Sequence, residues 1–179
     1  MGMGIPVTNR ALAVGLQPTL GIDIVSDYSG DMFAQMRIAL QTARAVDNQK
    51  ILDAGKMPAT IGLKVADAFA FATINGARAI GLEDSIGSLE VGKQADIILV
   101  RQDGIHHAPR AEDPLASLVL QARPSDIDSV FVAGVARKRA GRLVGVDLEA
   151  VRAKAEASAE HLRAGFTRAI AEQSGGDAT

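Results

Sequence analysis

Residues 95–101 read Ala-Asp-Ile-Ile-Leu-Val-Arg, with a continuous apolar run from Ile97 to Val100 and turn residues Gly87 and Gly92 upstream. A short apolar run without alternation is the pattern of a strand covered on both faces, so part of this chain is committed to a sheet. The segment "DIDSVFVAGVARKRAGRLV" offers the partners: strand, turn at Gly134, strand, turn at Gly141. It reads as a meander with an exposed basic stretch, Arg137-Lys138-Arg139, of the kind that blocks edge pairing. Between the two lies "DPLASLVLQA", a short helix over 114–122 with Asp113 at its cap and Pro114 at its first position, where a missing N–H costs nothing. Apolar residues make up 47% of the chain but aromatics only 3%, with no Trp, so Ala, Val, Ile and Leu must build the core.

Helices account for most of the rest. "TNRALAVGLQP" reads as a short helix that Thr8 or Asn9 caps and Gly15 ends. "SGDMFAQMRIALQTARAV" predicts a helix capped by Asp31, with Phe33, Met36, Leu40 and Ala43 on one face and Arg37, Gln41 and Arg44 on another. Met32 and Met36 read as core packing rather than pocket lining. From Asp47 to Pro58 the pattern weakens, interrupted by Gly55 and Pro58. Thr60 is expected to cap "GLKVADAFAFA", with Val65, Phe69 and Ala72 or Ala66 and Ala70 inward. Thr73 is expected to cap "INGARAI", which Gly81 ends; its polar members Asn75 and Arg78 should bond nearby backbone. From about Asp147, Leu148, Val151, Ala155, Ala159, Leu162, Phe166 and Ile170 recur at helical steps, a one-faced amphipathic helix expected to dock on the body or on another subunit. Glu149–Arg152, Arg152–Glu156 and Glu160–Arg163 are spaced to pair, and "SGGDAT" after Gln173 should fray.

Charge and composition narrow the function. With 19 basic and 21 acidic residues the net charge is −2, which offers nothing to nucleic acid or an anionic membrane. The absence of Cys excludes disulfides and thiolate metal sites. No apolar run approaches a membrane span and nothing at the start resembles a signal peptide, so a cytoplasmic protein is expected. The three histidines are His106, His107 and His161. The adjacent pair would point to opposite sides if extended, and the third sits in the charged C-terminal helix. With no HxH or HExxH spacing, each is expected in a surface or turn role, and no histidine metal site is expected on this chain.

One carboxylate stands out. Asp23 follows Thr19-Leu20-Gly21-Ile22, which reads as a strand, and precedes a polar loop, Val25 to Gly30. The C-terminal end of a strand is where α/β folds place their chemistry; the alternative is a loop Asp that caps a turn.

In order along the chain, "LGID" (20–23), "GDMFAQMRIAL" (30–40), "ATINGARAIGL" (72–82), "IGSLEVGKQADIILV" (86–100), "DPLASLV" (113–119) and "VFVAGVARKRAGRLV" (130–144) resemble the C-terminal part of a metal-dependent amidohydrolase. The resemblance is to the branch of chlorohydrolases and of cytosine, guanine and S-adenosylhomocysteine deaminases. It implies an α/β architecture: an incomplete (β/α)8 barrel, its last strand and flanking helices, joined to part of a small β-sandwich and followed by the C-terminal amphipathic helix. The implied division is 1–85 for the barrel portion, 86–146 for the sandwich portion and 147–179 for the helix and tail. It implies that Asp23 ends the eighth strand, where it binds a divalent metal, zinc or iron, or lies beside it. There it takes a proton from the metal-bound water that attacks a C–N or C–Cl bond of a small-molecule, heterocyclic substrate. Two positions depart from the family pattern: Ile22 stands where Thr is frequent, and "VSDYSG" replaces an Asn-rich loop, leaving Ser26, Asp27, Tyr28 and Ser29 as candidates to face the substrate.

The larger departure is what the chain lacks. The HxH pair and the further histidines that a complete relative supplies are absent, and a barrel lacking most of its strands cannot close. "MGMG" resembles a truncation boundary. The expectation is a portion of an enzyme that binds no metal and turns over no substrate by itself, and that forms a homo-oligomer to cover unpaired edges. The competing expectation is a non-catalytic, self-associating module without metal.

Overall fold

The computed structural model describes residues 4–25, 29–109 and 112–176. They fall into two compact units, Met1–Val144 and Gly145–Thr179.

The first unit is organised around one long helix. Helix α1 spans Thr8–Ala13 and α2 spans Met32–Asp53. At the start of α2, Asp31 takes the capping position and its Oδ1 accepts the Ala34 N–H at 2.8 Å. The helix does not stop where the apolar pattern weakens at Asp47; it runs on to Asp53 and ends at Gly55, whose φ of 70° lets Lys56 N–H reach back to the Ile51 carbonyl. Phe33, Met36, Ala39, Leu40 and Ala43 are buried along one side, which is the face expected from their spacing. The cap of α1 differs from expectation: Val7 precedes the helix, and Asn9 sends its side-chain N–H to the Ala43 carbonyl (2.9 Å) instead.

Helices α3 (Val65–Phe71) and α5 (Pro114–Gln121) pack against that face, and α4 (Ile74–Ala79) packs on α3. Ala68 and Phe71 point inward from α3, with Val65, Phe69 and Ala72 partly buried beside them, whereas Ala66 is exposed. Lys64, not Thr60, caps α3, because its backbone N–H bonds the Asp67 carboxylate at 2.7 Å. Thr73 precedes α4, but its hydroxyl donates to the Phe69 carbonyl (2.8 Å) rather than capping. Val119 and Ala122 close the core from α5, and Asp113 accepts the Leu115 N–H at 2.9 Å. Two arginines of α2 fasten the surroundings: Arg37 donates to the Ala122 carbonyl (2.8 Å) and Arg44 to the Leu63 carbonyl (2.8 Å). Burying a guanidinium stem against α5 while satisfying the last carbonyls serves packing and capping together.

The sheet has the order β1-β2-β3-β4, with β1 at Ile97–Val100, β2 at Ile127–Val132, β3 at Val135–Arg139 and β4 at Arg142–Leu143, all antiparallel. Two-residue turns, Ala133-Gly134 and Ala140-Gly141, join the last three strands with positive φ at both positions, the twist that matches flanking strands. The expectation of a doubly covered β1 fails. Ile98 and Leu99 are each 50% exposed, because β1 is an edge strand. The basic stretch lies on β3, which pairs on both sides and so is not an edge. Among the described residues there is one sheet.

Thr19–Asp23 does not form the expected strand: no ladder partner lies among the described residues, and the segment is irregular. It is anchored instead by Leu20 against the core and by the buried Asn75, whose Nδ2 donates to the Pro18 carbonyl at 3.2 Å.

The second unit is a single helix, α6, over Leu148–Gly176, so the expected fraying after Gln173 does not occur at that point. Asp147 Oδ1 accepts the Ala150 N–H (3.1 Å), Glu149 pairs with Arg152 at 3.4 Å, and Leu148, Val151, Leu162 and Phe166 are exposed. Among the described residues no helix is long and apolar enough to cross a membrane.

Two substitutions probe this packing. Leu40 is fully buried, so Leu40→Ala should lower unfolding free energy by about 2–5 kcal/mol in urea titrations. Gly87 sits at φ 90°, and an added Cβ would lie 2.7 Å from Ala77 Cβ and 3.1 Å from Ile74 Cα. Gly87→Ala should therefore cost about 1–3 kcal/mol, read as a lower urea midpoint at unchanged slope.

Candidate functional site

Asp23 sits where the irregular segment turns outward. Its backbone adopts φ 63°, a left-handed conformation that Asp tolerates better than most residues, and its side chain is exposed. Among the described residues no hydrogen bond or ion pair engages that carboxylate. Ser29 is also exposed, and its carbonyl accepts the Asp31 N–H at 2.7 Å, which leads the chain into the α2 cap. Ser26, Asp27 and Tyr28 lie outside the described residues.

The described residues gather polar side chains elsewhere. A 3₁₀ turn, Ile105–His107, carries the adjacent histidines, and a second, Pro124–Asp126, leads into β2. His106 Nε2 lies 2.9 Å and His107 Nε2 lies 3.3 Å from the same carboxylate oxygen, Asp126 Oδ2. The backbone N–H of Arg123 reaches that oxygen too, at 2.8 Å. On its other side His107 Nδ1 is 2.9 Å from Ser117 Oγ, and the Ser117 hydroxyl is 2.7 Å from Gln121 Oε1, all on α5 or facing it.

Of the surface or turn role expected for His107, the turn holds and the surface does not: the residue ends the 3₁₀ turn and is 2% exposed. An extended chain would send adjacent side chains apart. A 3₁₀ turn rotates successive residues by only about 120°, so the rings tilt together with centroids 4.2 Å apart. His106 keeps a turn role, but pairs with Asp126; His161 is exposed on α6, as expected. The missing signal is understandable: Asp126 lies 20 residues beyond His106 with α5 between them, a separation no local spacing rule connects.

The electrostatics follow from these contacts. Burial alone would raise the Asp126 carboxyl. The contacts with the His106 ring, the Arg123 backbone N–H and the His107 ring outweigh it and hold the group below its ordinary 3.8. Glu90, exposed on the loop before β1, is also lowered, by its bonds to Ser88 and Lys93.

Comparison with known proteins matches residues 3–137 to the model of the amidohydrolase family. A 5-methylthioadenosine/S-adenosylhomocysteine deaminase of Desulforudis audaxviator is 36% identical over 163 residues, covering 90% of this chain and 35% of that protein. Among solved structures, an adenosine deaminase from Xanthomonas campestris with bound zinc superposes with TM-score 0.75 at 30% identity, covering 87% of this chain and 33% of the other. The zinc complex of atrazine chlorohydrolase TrzN from Arthrobacter aurescens superposes with TM-score 0.72 at 26% identity, covering 88% and 33%. The chain thus spans about a third of the length of the relatives it matches.

The lowered Asp126 carboxyl has a stability consequence. The unfolded chain binds that proton more tightly than the native state does. The contribution is complete above 3.8 and is lost as pH falls through the lower folded value. In chelator-treated protein, urea midpoints measured from about pH 6 down to about pH 2 should fall for wild type and fall less for Asp126→Asn. At neutral pH the same variant should be about 1–3 kcal/mol less stable, because a neutral amide oxygen replaces the carboxylate in its charge-assisted hydrogen bonds.

Proposed function

Because this chain belongs to the amidohydrolase family, we propose that it carries the C-terminal third of a hydrolase of the deaminase branch, acting on a C–N bond of a 5′-substituted adenosine or a related small heterocycle. The observation that carries this reading is the match over residues 3–137, which includes Asp23. Relatives named for adenosine-type substrates favour deamination over dechlorination. Residues 1–85 correspond to the end of the barrel, 86–146 to part of a β-sandwich and 147–179 to the terminal helix. Exposed Leu89, Val91, Ile98 and Leu99 suit a sheet that expects a covering layer.

Among the described residues, no nest around Asp23 matches the zinc of the similar structures. Asp23 is exposed, and the histidines of the first unit converge on Asp126 rather than on Asp23. One carboxylate does not hold a catalytic metal, so the ligands would come from residues outside this chain. The role that remains for Asp23 is its own: to accept a proton from the attacking water and deliver it to the departing nitrogen. Ser26, Asp27, Tyr28 and Ser29 are then the candidates to contact the substrate. The exposed apolar residues beside Asp23, Ile24 and Val25, and Val14 and Leu16 before it, suit contact with the remaining barrel or with another copy of the chain in a cytoplasmic homo-oligomer. The same exposed surface also supports a second reading, a self-associating module without catalysis.

Ammonia release from 5-methylthioadenosine tests the assignment. The chain alone should give none. Mixed with zinc and the separately produced N-terminal two-thirds of a 36% identical relative, it should restore turnover. In that mixture Asp23→Asn should lower kcat by about 10²–10⁴-fold. Turnover by the chain alone, or Asp23→Asn at wild-type rate in the mixture, would refute it.

A further inference from the structure

We propose that His106, His107 and Asp126 form a binding site for one divalent transition-metal ion, zinc by the chemistry of the donors. The site is separate from Asp23 and independent of the catalytic reading.

The Ser117 hydroxyl has one proton, and Gln121 Oε1 at 2.7 Å is positioned to receive it. Ser117 Oγ must then accept from His107 Nδ1 at 2.9 Å, which places the ring proton on Nδ1. In the neutral ring, Nε2 is left with its lone pair toward Asp126 Oδ2 at 3.3 Å. Two acceptors face each other, in a site where His107 is 2% exposed and Asp126 9%. That pairing is unfavourable unless a positive centre lies between them. A second ring proton can serve, and so can a cation.

The geometry suits the cation. Zinc holds nitrogen at about 2.0–2.1 Å and carboxylate oxygen at about 2.0–2.2 Å, so tetrahedral neighbours stand about 3.3 Å apart. His107 Nε2 and Asp126 Oδ2 already have that separation, at 3.3 Å. His106 Nε2, 2.9 Å from the same oxygen, need open only slightly, and the three ligand atoms lie within 4.8 Å of one another. The Nδ1–H of His107 bonded to Ser117 is the outer contact that fixes a ligating imidazole. His106 is held by its own backbone environment: an added Cβ on Gly104 would fall 2.5 Å from His106 Cε1, so the ring can lie over that residue only because it is Gly. Its side chain is 22% exposed, so solvent reaches the cluster from that side. Two imidazoles and a carboxylate make a set that zinc favours over calcium or magnesium. Three protein ligands leave a fourth position for water.

The test is a titration of the chelator-stripped full chain with zinc alone by calorimetry, and with cobalt by visible absorption. One equivalent per chain is expected, with the strong visible bands of tetrahedral cobalt. His106→Gln, at a partly exposed position, should weaken binding at least tenfold, and Ser117→Ala, a positioning change, by about 10–100-fold. His161→Gln should leave it unchanged. On wild type, histidine ¹⁵N resonances should show zinc arriving at His107 Nε2 while Nδ1 keeps its proton. No stoichiometric binding would overturn the proposal. So would affinity that His106→Gln leaves intact, or His107 ¹⁵N resonances that do not respond to zinc.

Discussion

The contact on which most of the first unit depends is Arg37 of α2 reaching across the core to the carbonyl that ends α5. The apolar side of α2, through Met36 and Leu40, supplies the burial, but burial is non-directional and would tolerate α5 at several positions. The 2.8 Å bond to the Ala122 carbonyl selects one. A short helix held at its last turn presents Ser117 to His107, and His107 in turn meets Asp126. A half-buried side chain of α2 thereby helps set the geometry of a polar cluster built on α5 and the two 3₁₀ turns.

The strength of local signals explains what could be read in advance. Asp31, Asp113 and Pro114 mark helix starts through chemistry confined to one turn, and each lies where its type predicts. The buried side of α2 follows from spacing alone, since Phe33, Met36, Leu40 and Ala43 have no other way to leave water. The turns at Gly134 and Gly141 are legible for the same reason. Failures arise where a partner decides the outcome. Leu20 to Asp23 has strand character but no ladder, and Ile98 and Leu99 have core character but an edge position. Thr60 and Thr73 are capable caps, yet backbone geometry gives one task to Lys64 and turns the other hydroxyl toward Phe69. The His106–His107–Asp126 cluster was illegible because two short turns, separated by a helix, had to be brought together first.

Family membership and local chemistry weigh differently on the two polar regions. Around Asp23, ancestry carries the interpretation, because the carboxylate is exposed and its own surroundings impose no task on it. Around Asp126 the reverse holds: a backbone N–H and two imidazole nitrogens converge on one oxygen, and a serine assigns the ring proton of one of those histidines, which defines a task without reference to any relative.

The turn between β2 and β3 places Ala133, not glycine, in a left-handed conformation at φ 47°. An alanine there costs about 1–2 kcal/mol, so the hairpin is a poor candidate to close by itself. The compensation comes from far along the chain: Asp96 accepts the Ala133 N–H at 2.7 Å across 37 residues, and the Ala95 carbonyl accepts the Gly134 N–H at 3.0 Å. The β2–β3 turn therefore gains its compensating bonds only when the loop before β1 is in place. This ties the stability of that turn to closure of the long connection between β1 and β2 rather than to the hairpin alone.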